Sequence, residues 1–333
     1  MSILRTISKI CVAFVGICSL LTVPVASAAD SWTAPKIPKP ASMPNFPERP
    51  IDFICGWGVG GGADLMSRKM CDLVRKYYGI TFVVTCMPGA AGTKALDYAM
   101  RQPHDGYTVF FLAWDGYMNY LLKKTTWKPE ELSLIVCAQE LPGAYFVHKD
   151  DTRFKTWDDV IQYSKKNPYK LKLADVGRGG LGDFTLSLWE KATGIKLTYV
   201  PYDAPAQRYA AFSGGHCDIL YEQPGDIPAI LEAGARPLVF MNDKRMPEFP
   251  DTPCAKELGH DITLNLWRGV AVAADMPKDV KDYLTALFGA VAQSPEWKAF
   301  LKQIMAKDTV RVGDEAQKMF LEEYHTVGSL MKK

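Results

Sequence analysis

A short apolar segment that runs into a glycine-rich turn constrains this chain more than any other feature. Residues Ile51–Cys55 have the composition of a buried strand, and Gly58, Gly60, Gly61 and Gly62 follow within a few positions. Asp64 is then placed to cap a helix. Successive glycines let backbone N–H groups converge, and the start of a helix carries partial positive charge. The segment therefore predicts a strand, a tight turn and a helix that together hold an anion.

The same alternation of strand and helix continues along the chain. Further strands are predicted at Thr81–Cys86 and Tyr107–Ala113, with a helix at Leu65–Tyr78 between the first two strands. A second glycine-bearing turn, Met87–Gly92, follows the second strand. Strands that alternate with helices indicate a parallel sheet, and ligands bind beyond the carboxyl ends of such strands. Both turns fall at those ends.

A second series begins at Thr156, which forms a capping box with Asp159. A strand at Leu171–Val176 leads into a third glycine-rich turn, Gly177–Asp183. Later strands are predicted at Lys196–Val200, Cys217–Tyr221, Pro237–Met241 and Leu264–Ala273, and helices begin near Pro277, Pro295 and Glu315. No internal repeat is evident in the sequence.

These two series predict an α/β fold of two lobes, with parallel-rich sheets and a ligand cleft between the lobes. Residues 50–140 and 245–333 are assigned to lobe 1 and residues 141–244 to lobe 2, and the last helices are expected to pack on lobe 1.

The amino terminus predicts export. Arg5 and Lys9 precede an apolar run, and Ala26–Ala28 supplies the small residues before a cleavage site. Residues 1–28 are therefore interpreted as a secretory signal peptide, and residues 29–49, rich in proline, as an extended lead-in. A membrane anchor is the alternative, although the apolar run is short for a span. We expect a periplasmic protein.

Charge excludes several partners. After removal of the signal peptide, 37 basic and 37 acidic residues remain. A neutral chain does not favour nucleic acid or the surface of a membrane. The expected state is a monomer.

An exported chain with an even number of cysteines permits disulfides. Cys55 and Cys86 end successive predicted strands, which makes them the candidate pair; buried free thiols are the alternative for the others. Six cysteines follow the signal peptide: Cys55, Cys71, Cys86, Cys137, Cys217 and Cys254.

Catalytic and cofactor motifs are absent from the sequence. Gly56, Gly58 and Gly61 formally spell GxGxxG, but the second strand ends in Thr85-Cys86 where a dinucleotide site needs an acidic residue. No nucleophile elbow, HExxH or P-loop lysine occurs, and the five histidines are scattered. We expect no catalytic residue, no metal and no cofactor.

Four aromatic residues and one arginine lie at strand ends or in a turn that are predicted to border the ligand cleft. Trp57, Trp114, Tyr117 and Tyr202 lie at or just after predicted strand ends, and they either contact an apolar ligand body or simply pack the hinge. Arg178 lies inside the third turn. It either forms a bidentate ion pair with a ligand carboxylate or stays exposed to solvent.

Five motifs in register resemble one family, the Bug solute receptors of tripartite tricarboxylate transporters. The matching segments cover most of the chain after the signal peptide: Pro47–Ile51 running into Gly60–Asp64, Pro88–Gly92, Pro103–Thr108, Val200–Tyr202 and Gly214–Asp218. The resemblance implies a two-lobed periplasmic binding protein of the Venus flytrap type, in which two α/β lobes close on one small carboxylate and deliver it to a membrane permease.

The resemblance also implies the ligand-binding residues. Those of the first lobe are Trp57, Gly61, Gly62, Ala63, Asp64, Ala90, Gly92 and Thr93. The turn at Gly177–Asp183, with Arg178 and Gly180, and the region of Tyr202 are expected to supply the second lobe, with Trp114 beside them.

The chain departs from the family where Gly56, Val59 and Cys86-Met87 stand, and Arg178 replaces a commonly small residue. Trp57, Trp114 and Arg178 favour an anion with an apolar or aromatic body. Two rival functions remain at this point. One is a sensory receptor that presents its ligand to a membrane kinase; the other is an exported α/β enzyme.

Overall fold

The structure is a computed structural model that describes residues 32–331. The predicted signal peptide lies outside the described residues. Within residues 32–331, no helix is both long and apolar enough to cross a membrane.

Eleven strands form two sheets in the described part of the chain. In chain order they are β1 (Ile51–Cys55), β2 (Phe82–Cys86), β3 (Thr108–Ala113), β4 (Leu132–Pro142), β5 (Ala144–His148), β6 (Lys172–Asp175), β7 (Thr198–Pro201), β8 (Ile219–Glu222), β9 (Ala235–Phe240), β10 (Asn265–Ala273) and β11 (Arg311–Val312).

Ten α-helices within residues 32–331 cover these sheets. They are α1 (Gly62–Tyr78), α2 (Thr93–Met100), α3 (Asp115–Leu121), α4 (Trp157–Lys166), α5 (Leu181–Thr193), α6 (Pro205–Ser213), α7 (Pro228–Glu232), α8 (Lys278–Ala292), α9 (Pro295–Gln303) and α10 (Asp314–Met331).

The first sheet has the order β11-β4-β10-β3-β1-β2. β1 pairs in parallel with β2 and β3, whereas β10 runs antiparallel to both β3 and β4, and β11 is antiparallel to β4. Helices α1 and α8 pack together on one face, and α2, α3 and α10 cover the other. The carboxyl-terminal helices α8 and α10 contact β4, as the sequence predicted for lobe 1.

The second sheet has the order β7-β6-β8-β5-β9. β6 pairs in parallel with β7 and β8, and β5 is antiparallel to β8 and β9. Its two apolar cores lie under α4 and α5 on one face and under α6 and α7 on the other. Both sheets are thus mixed: parallel strands near the glycine turns, antiparallel strands elsewhere. The two-lobed α/β class is confirmed, while the lobe boundaries at residues 140 and 245 stay predictions.

Sequence patterns located most elements but missed four. β1 was predicted with its observed bounds, and Thr156 caps α4 through the expected capping box with Asp159. α3, β4, β5 and β11 were not predicted. β4 lies between β10 and β11 and is buried along nearly its whole length, so its apolar run shows no alternation that marks a strand.

The expected disulfide between Cys55 and Cys86 is not present in this structure. The two residues are direct partners in the register of β1 and β2, but both are free thiols. Cys86 Sγ instead donates to Asp64 Oδ1 at 3.2 Å. The four other cysteines within residues 32–331 are also free and buried.

Candidate functional site

A cavity of about 80 Å³ lies between the two sheets. One water needs only about 10–15 Å³ measured in this way, so the space is large enough for a small organic molecule. It is lined by residues from both sheets and from α1, α5 and α6: Trp57, Gly58, Gly61, Gly62, Ala63, Phe111, Ala113, Trp114, Asp115, Asp175, Val176, Gly180, Leu181, Gly182, Asp203, Pro205, Arg208, Tyr209, Tyr221, Glu222, Gln223, Asp226, Leu266 and Arg268.

The first glycine turn forms one wall of this cavity. Gly61 N–H donates to the carbonyl of Gly58 at 3.3 Å, and Gly60 takes the left-handed conformation with φ +80°. Gly60 N–H donates to Asp64 Oδ2 at 2.9 Å, which closes the turn onto α1. The prediction that Asp64 caps the helix is wrong, because α1 already begins at Gly62 with Gly61 as its N-cap, and Asp64 lies in the first turn and reaches back to the glycine turn.

The turn at residues 177–183 repeats this geometry on the opposite wall. Gly180 N–H donates to the carbonyl of Gly177 at 3.1 Å, Gly179 has φ +90°, and Gly179 N–H donates to Asp183 Oδ2 at 2.9 Å. The sequences GVGGGAD and GRGGLGD share the pattern GxGGxxD. The expectation of no internal repeat is therefore wrong for these two turns, because a seven-residue match is too short to stand out without the geometry.

The lobes touch each other across the cavity. A Cβ atom added to Gly58 would lie 2.8 Å from Pro205 Cδ, and one added to Gly61 would lie 2.9 Å from Pro205 Cγ. Both distances are shorter than carbon atoms tolerate, so Pro205 of α6 fits against the first turn only because glycines stand there.

Two further glycines make room for buried carboxylates. A side chain at Gly62 would overlap the carboxylate of Asp226 and the guanidinium of Arg268, which form an ion pair with Nη1 and Oδ1 3.0 Å apart. A side chain at Gly182 would overlap the carboxylate of Asp175. The start of each helix thus faces an acidic side chain.

A second buried ion pair joins Arg208 of α6 to Glu222 at the end of β8. Tyr209 supports it by donating its hydroxyl to Glu222 Oε2 at 3.1 Å. Burial alone would lower the pKa of the Arg208 guanidinium, but Glu222 outweighs it and the pKa rises. The Arg208 guanidinium is therefore charged in this pair.

Asp175 and Asp115 have no such partner. Among residues 32–331, neither carboxyl group forms an ion pair with a lysine or arginine. Burial raises the pKa of Asp175 to about 8, against the backbone N–H of Val176 and the charge of Arg208, which lower it. Burial likewise raises the pKa of Asp115 to about 7. Both carboxyl groups therefore keep their proton to a higher pH than an ordinary Asp does.

Apolar side chains complete the cavity. Trp57 and Trp114 line it together with Phe111 and Leu266. Trp114 is buried, and its ring centroid lies 5.2 Å from that of Phe184 of α5, so it bridges the two lobes.

The structure brings half of the predicted site residues to the cavity. Trp57, Gly61, Gly62, Ala63, Trp114 and Gly180 line it, whereas Asp64, Ala90, Gly92, Thr93, Arg178 and Tyr202 do not.

The second group lies behind the lining or outside it. Gly92 packs beneath Asp115, since a Cβ on Gly92 would be 2.7 Å from Asp115 Oδ2. Thr93 is buried at the start of α2, and Ala90 has a left-handed φ of +51° in the turn before it. Tyr202 places its hydroxyl 3.7 Å from Cys217 Sγ.

Arg178 turns away from the cavity. Its guanidinium pairs with Asp183 Oδ1 at 2.6 Å and stacks over Tyr199 at 4.0 Å from the ring centroid. The side chain is 61% exposed, so the solvated alternative describes this structure.

Sequence reasoning missed the charged residues of the cavity. Asp175 and Glu222 each end a strand, and Asp115 follows β3 by two positions. Acidic residues at the carboxyl ends of strands were the available signal. Arg268 lies inside β10, where nothing in the local sequence distinguishes it from a solvent-facing residue.

The two sheets and the cleft between them define a two-lobed periplasmic binding protein, and known structures agree. The periplasmic binding protein BugD is 24% identical with a TM-score of 0.79, covering 86% of this chain and 98% of that one. MatC from Rhodopseudomonas palustris, solved with bound malate, is 20% identical with a TM-score of 0.78, over 85% of this chain and 99% of its own. R. palustris Rpa4515 with adipate is 23% identical with a TM-score of 0.77, over 86% and 96%.

The family follows from sequence. The tripartite tricarboxylate transporter family receptor model matches residues 66–333. A UPF0065 protein in the gbd 5′ region of Cupriavidus necator is 29% identical over 241 residues, or 72% of this chain and 73% of that protein. The chain belongs to the tripartite tricarboxylate transporter receptor family, the Bug periplasmic receptors.

Proposed function

We propose that this receptor binds one small organic carboxylate by closure of its two lobes and delivers it to a tripartite tricarboxylate membrane permease. Family membership supports this proposal, and so do two similar structures, one with bound malate and one with adipate. In this proposal the ligand leaves the protein chemically unchanged.

Unsatisfied donors in the cavity wall carry the proposal. Arg208 Nε and Trp114 Nε1 are buried and have no hydrogen-bond partner among the described residues. Both groups can only donate, so the missing partner must be an acceptor. A buried donor without a partner costs about 1–3 kcal/mol, which a carboxylate oxygen would recover.

The helix starts add to this preference for an anion. α1 and α5 both begin at the cavity, at Gly62 and Leu181, and the backbone N–H groups of a first helical turn have no partner within the helix. The walls formed by Trp57 and Trp114 suit an apolar ligand body. In the proposed site, the predicted residues that line the cavity contact the ligand, and Gly92 supports the lining residue Asp115 from behind.

Calorimetric titration with a panel of small carboxylates tests the proposal. We expect one class of carboxylate to bind and to be recovered unaltered, and Gly61→Ala to weaken it roughly tenfold because its methyl group would press on Pro205 during closure. Gly177→Ala is the matched control, since its added Cβ meets nothing closer than 3.6 Å. Full affinity in Gly61→Ala, or turnover of the ligand, would contradict the proposal.

Delivery needs a separate test in cells. Deletion of the receptor should abolish uptake of the radiolabelled ligand, and re-expression of the wild type should restore it. Normal uptake in the deletion strain, together with ligand-dependent binding to a membrane kinase, would favour the sensory function.

A further inference from the structure

The charges of the cavity do not match a simple dicarboxylate. Its acidic side chains outnumber its basic ones: Asp115, Asp175, Asp203, Glu222 and Asp226 face only Arg208 and Arg268. Both arginines are already neutralised by carboxylates of the wall itself, through Glu222 and Asp226. No free cation therefore remains in the described lining for a second carboxylate of a ligand.

Among these acidic groups, Asp175 has the greatest need of a counter-ion. It is 2% exposed, and only neutral groups contact its oxygens: Val176 N–H donates to Oδ1 at 2.7 Å, and the Tyr199 hydroxyl donates to Oδ2 at 3.1 Å. A buried carboxylate without a counter-ion is unfavourable, so it either stays protonated or receives a cation from elsewhere.

Asp115 presents the same problem from the other lobe. It begins α3 directly after Trp114, is half-buried and lines the cavity, and Gly92 leaves the space beneath its carboxyl group. Arg268 acts on it only at a distance and is already paired with Asp226.

A metal ion does not fit these acidic groups. Within the part of the chain that the structure describes, no three His, Cys, Asp or Glu side chains converge closely enough to hold a metal. An organic cation needs only one or two carboxylates with hydrogen-bond geometry. The lining that leaves Arg208 Nε and Trp114 Nε1 without an acceptor also leaves Asp115 and Asp175 without a cation.

We infer that the ligand carries a protonated nitrogen, which pairs with Asp175 and Asp115, in addition to the carboxylate. This inference rests on the proposed function for the carboxylate half of the ligand. A pure dicarboxylate would place its second anion against two acidic side chains, which favours a cation over a second carboxylate at this position. The substrate class is therefore a zwitterion, an amino carboxylate.

Matched ligand triads test the inference on the full receptor without its signal peptide. Each triad has one carbon frame with two carboxylates, one carboxylate and one amine, or two amines: succinate, γ-aminobutyrate and putrescine; adipate, aminocaproate and hexamethylenediamine; terephthalate, para-(aminomethyl)benzoate and para-xylylenediamine. Malate and aspartate add a comparison at the α-carbon. We expect the amino carboxylate of one set to bind roughly 100-fold more tightly than its dicarboxylate.

The outcomes separate the inference from the proposed function. The inference would be overturned if a dicarboxylate bound as tightly as the amino carboxylate of its triad. It would also be overturned if none of the nitrogen-bearing compounds bound. Binding of a diamine alone would preserve the cation site and reject the carboxylate receptor.

Variants supply an independent arm. Asp175→Asn should weaken the preferred amino carboxylate at least tenfold, and leave the matching dicarboxylate unchanged or bound more tightly, since Asn keeps the shape but not the charge. Asp115→Asn should act in the same direction. Asp158→Asn, an exposed site on α4, is the control. Equal loss for amino carboxylate and dicarboxylate in Asp175→Asn would show a merely structural role and contradict the inference.

Discussion

The two glycine turns on opposite walls of the cavity are the same backbone structure with different electrostatics. In each turn, the Asp of GxGGxxD accepts a hydrogen bond from the N–H of a glycine in the left-handed conformation. A second glycine, near the start of the helix, leaves room for a buried carboxylate. At α1 that carboxylate is Asp226, paired with Arg268. At α5 it is Asp175, with no cationic partner among the described residues.

The difference shows that turn geometry does not decide what a turn binds. Near α1 the charge is balanced within the protein, by a pair that joins β10 of the first sheet to the segment after β8 of the second. Near α5 the balance is left open. The wall at α1 is thus held by an ion pair within the protein. At the wall formed by α5, the cation that we infer on the ligand would balance Asp175.

Removing one carboxylate at a time tests whether the two turns differ electrostatically. We expect the largest change in the free energy of unfolding at Asp226. Asp226→Asn leaves Arg268 buried without its counter-ion and should lower the free energy of unfolding by about 3–5 kcal/mol. Asp175→Asn removes a carboxylate that has no counter-ion and should change it by less than about 1 kcal/mol near neutral pH. Urea denaturation of both variants measures this; equal losses would show that the two turns are electrostatically alike.

Gly62→Ala should give the next largest effect. Its methyl group would overlap both Asp226 and Arg268, so we expect a loss of about 2–3 kcal/mol in the free energy of unfolding. Gly177→Ala, with free space around its added Cβ, should stay within about 0.5 kcal/mol of the wild type. Thermal unfolding of the pair compares them; a stable Gly62→Ala protein would mean that the ion pair can move aside.

The pH dependence of the ligand-free protein sharpens the same contrast. The pKa of Asp175 is about 8 in the folded state against 3.8 for an ordinary Asp, so the folded protein holds a proton that the unfolded chain releases. Stability is then greatest below the lower value and falls as pH rises towards 8. Between about pH 6 and 7 the loss is up to about 1.4 kcal/mol per group.

In Asp175→Asn, the free energy of unfolding should decrease less steeply as the pH rises. Denaturation at several pH values measures this. Asp115 and Glu323, whose pKa burial raises to about 7 in each case, supply the remaining slope. A wild-type protein that becomes more stable over this interval would contradict the assignment, because a carboxylate with a lowered pKa gives the opposite sign.

Arg178→Ala should have the smallest effect. The guanidinium pairs with Asp183 at the surface, and such exposed pairs contribute about 0–1 kcal/mol. Ligand affinity should stay within about twofold of the wild type. Calorimetry decides this, and a tenfold loss would restore Arg178 as a ligand contact made in another state of the lobes.

The pattern of the sequence predicted much of the fold and part of the site. Periodicity and turn residues placed β1, α1 and the turn before α5, because these signals are local. β4 was not predicted, since burial on both faces removes alternation. Arg178 was expected in the cleft because it lies in a glycine turn, but the direction of a side chain depends on neighbours such as Tyr199 and Asp183.

By itself the sequence determined the α/β class, the family and the glycine turns at strand ends, since each depends on residues that are close together in the chain. Only the tertiary structure decided which charges share the cavity. Asp226 and Arg268 are 42 positions apart in sequence, and Asp115 and Asp175 come from different sheets. Whether a buried charge is balanced depends on distance in space, and no local pattern of residues encodes that distance.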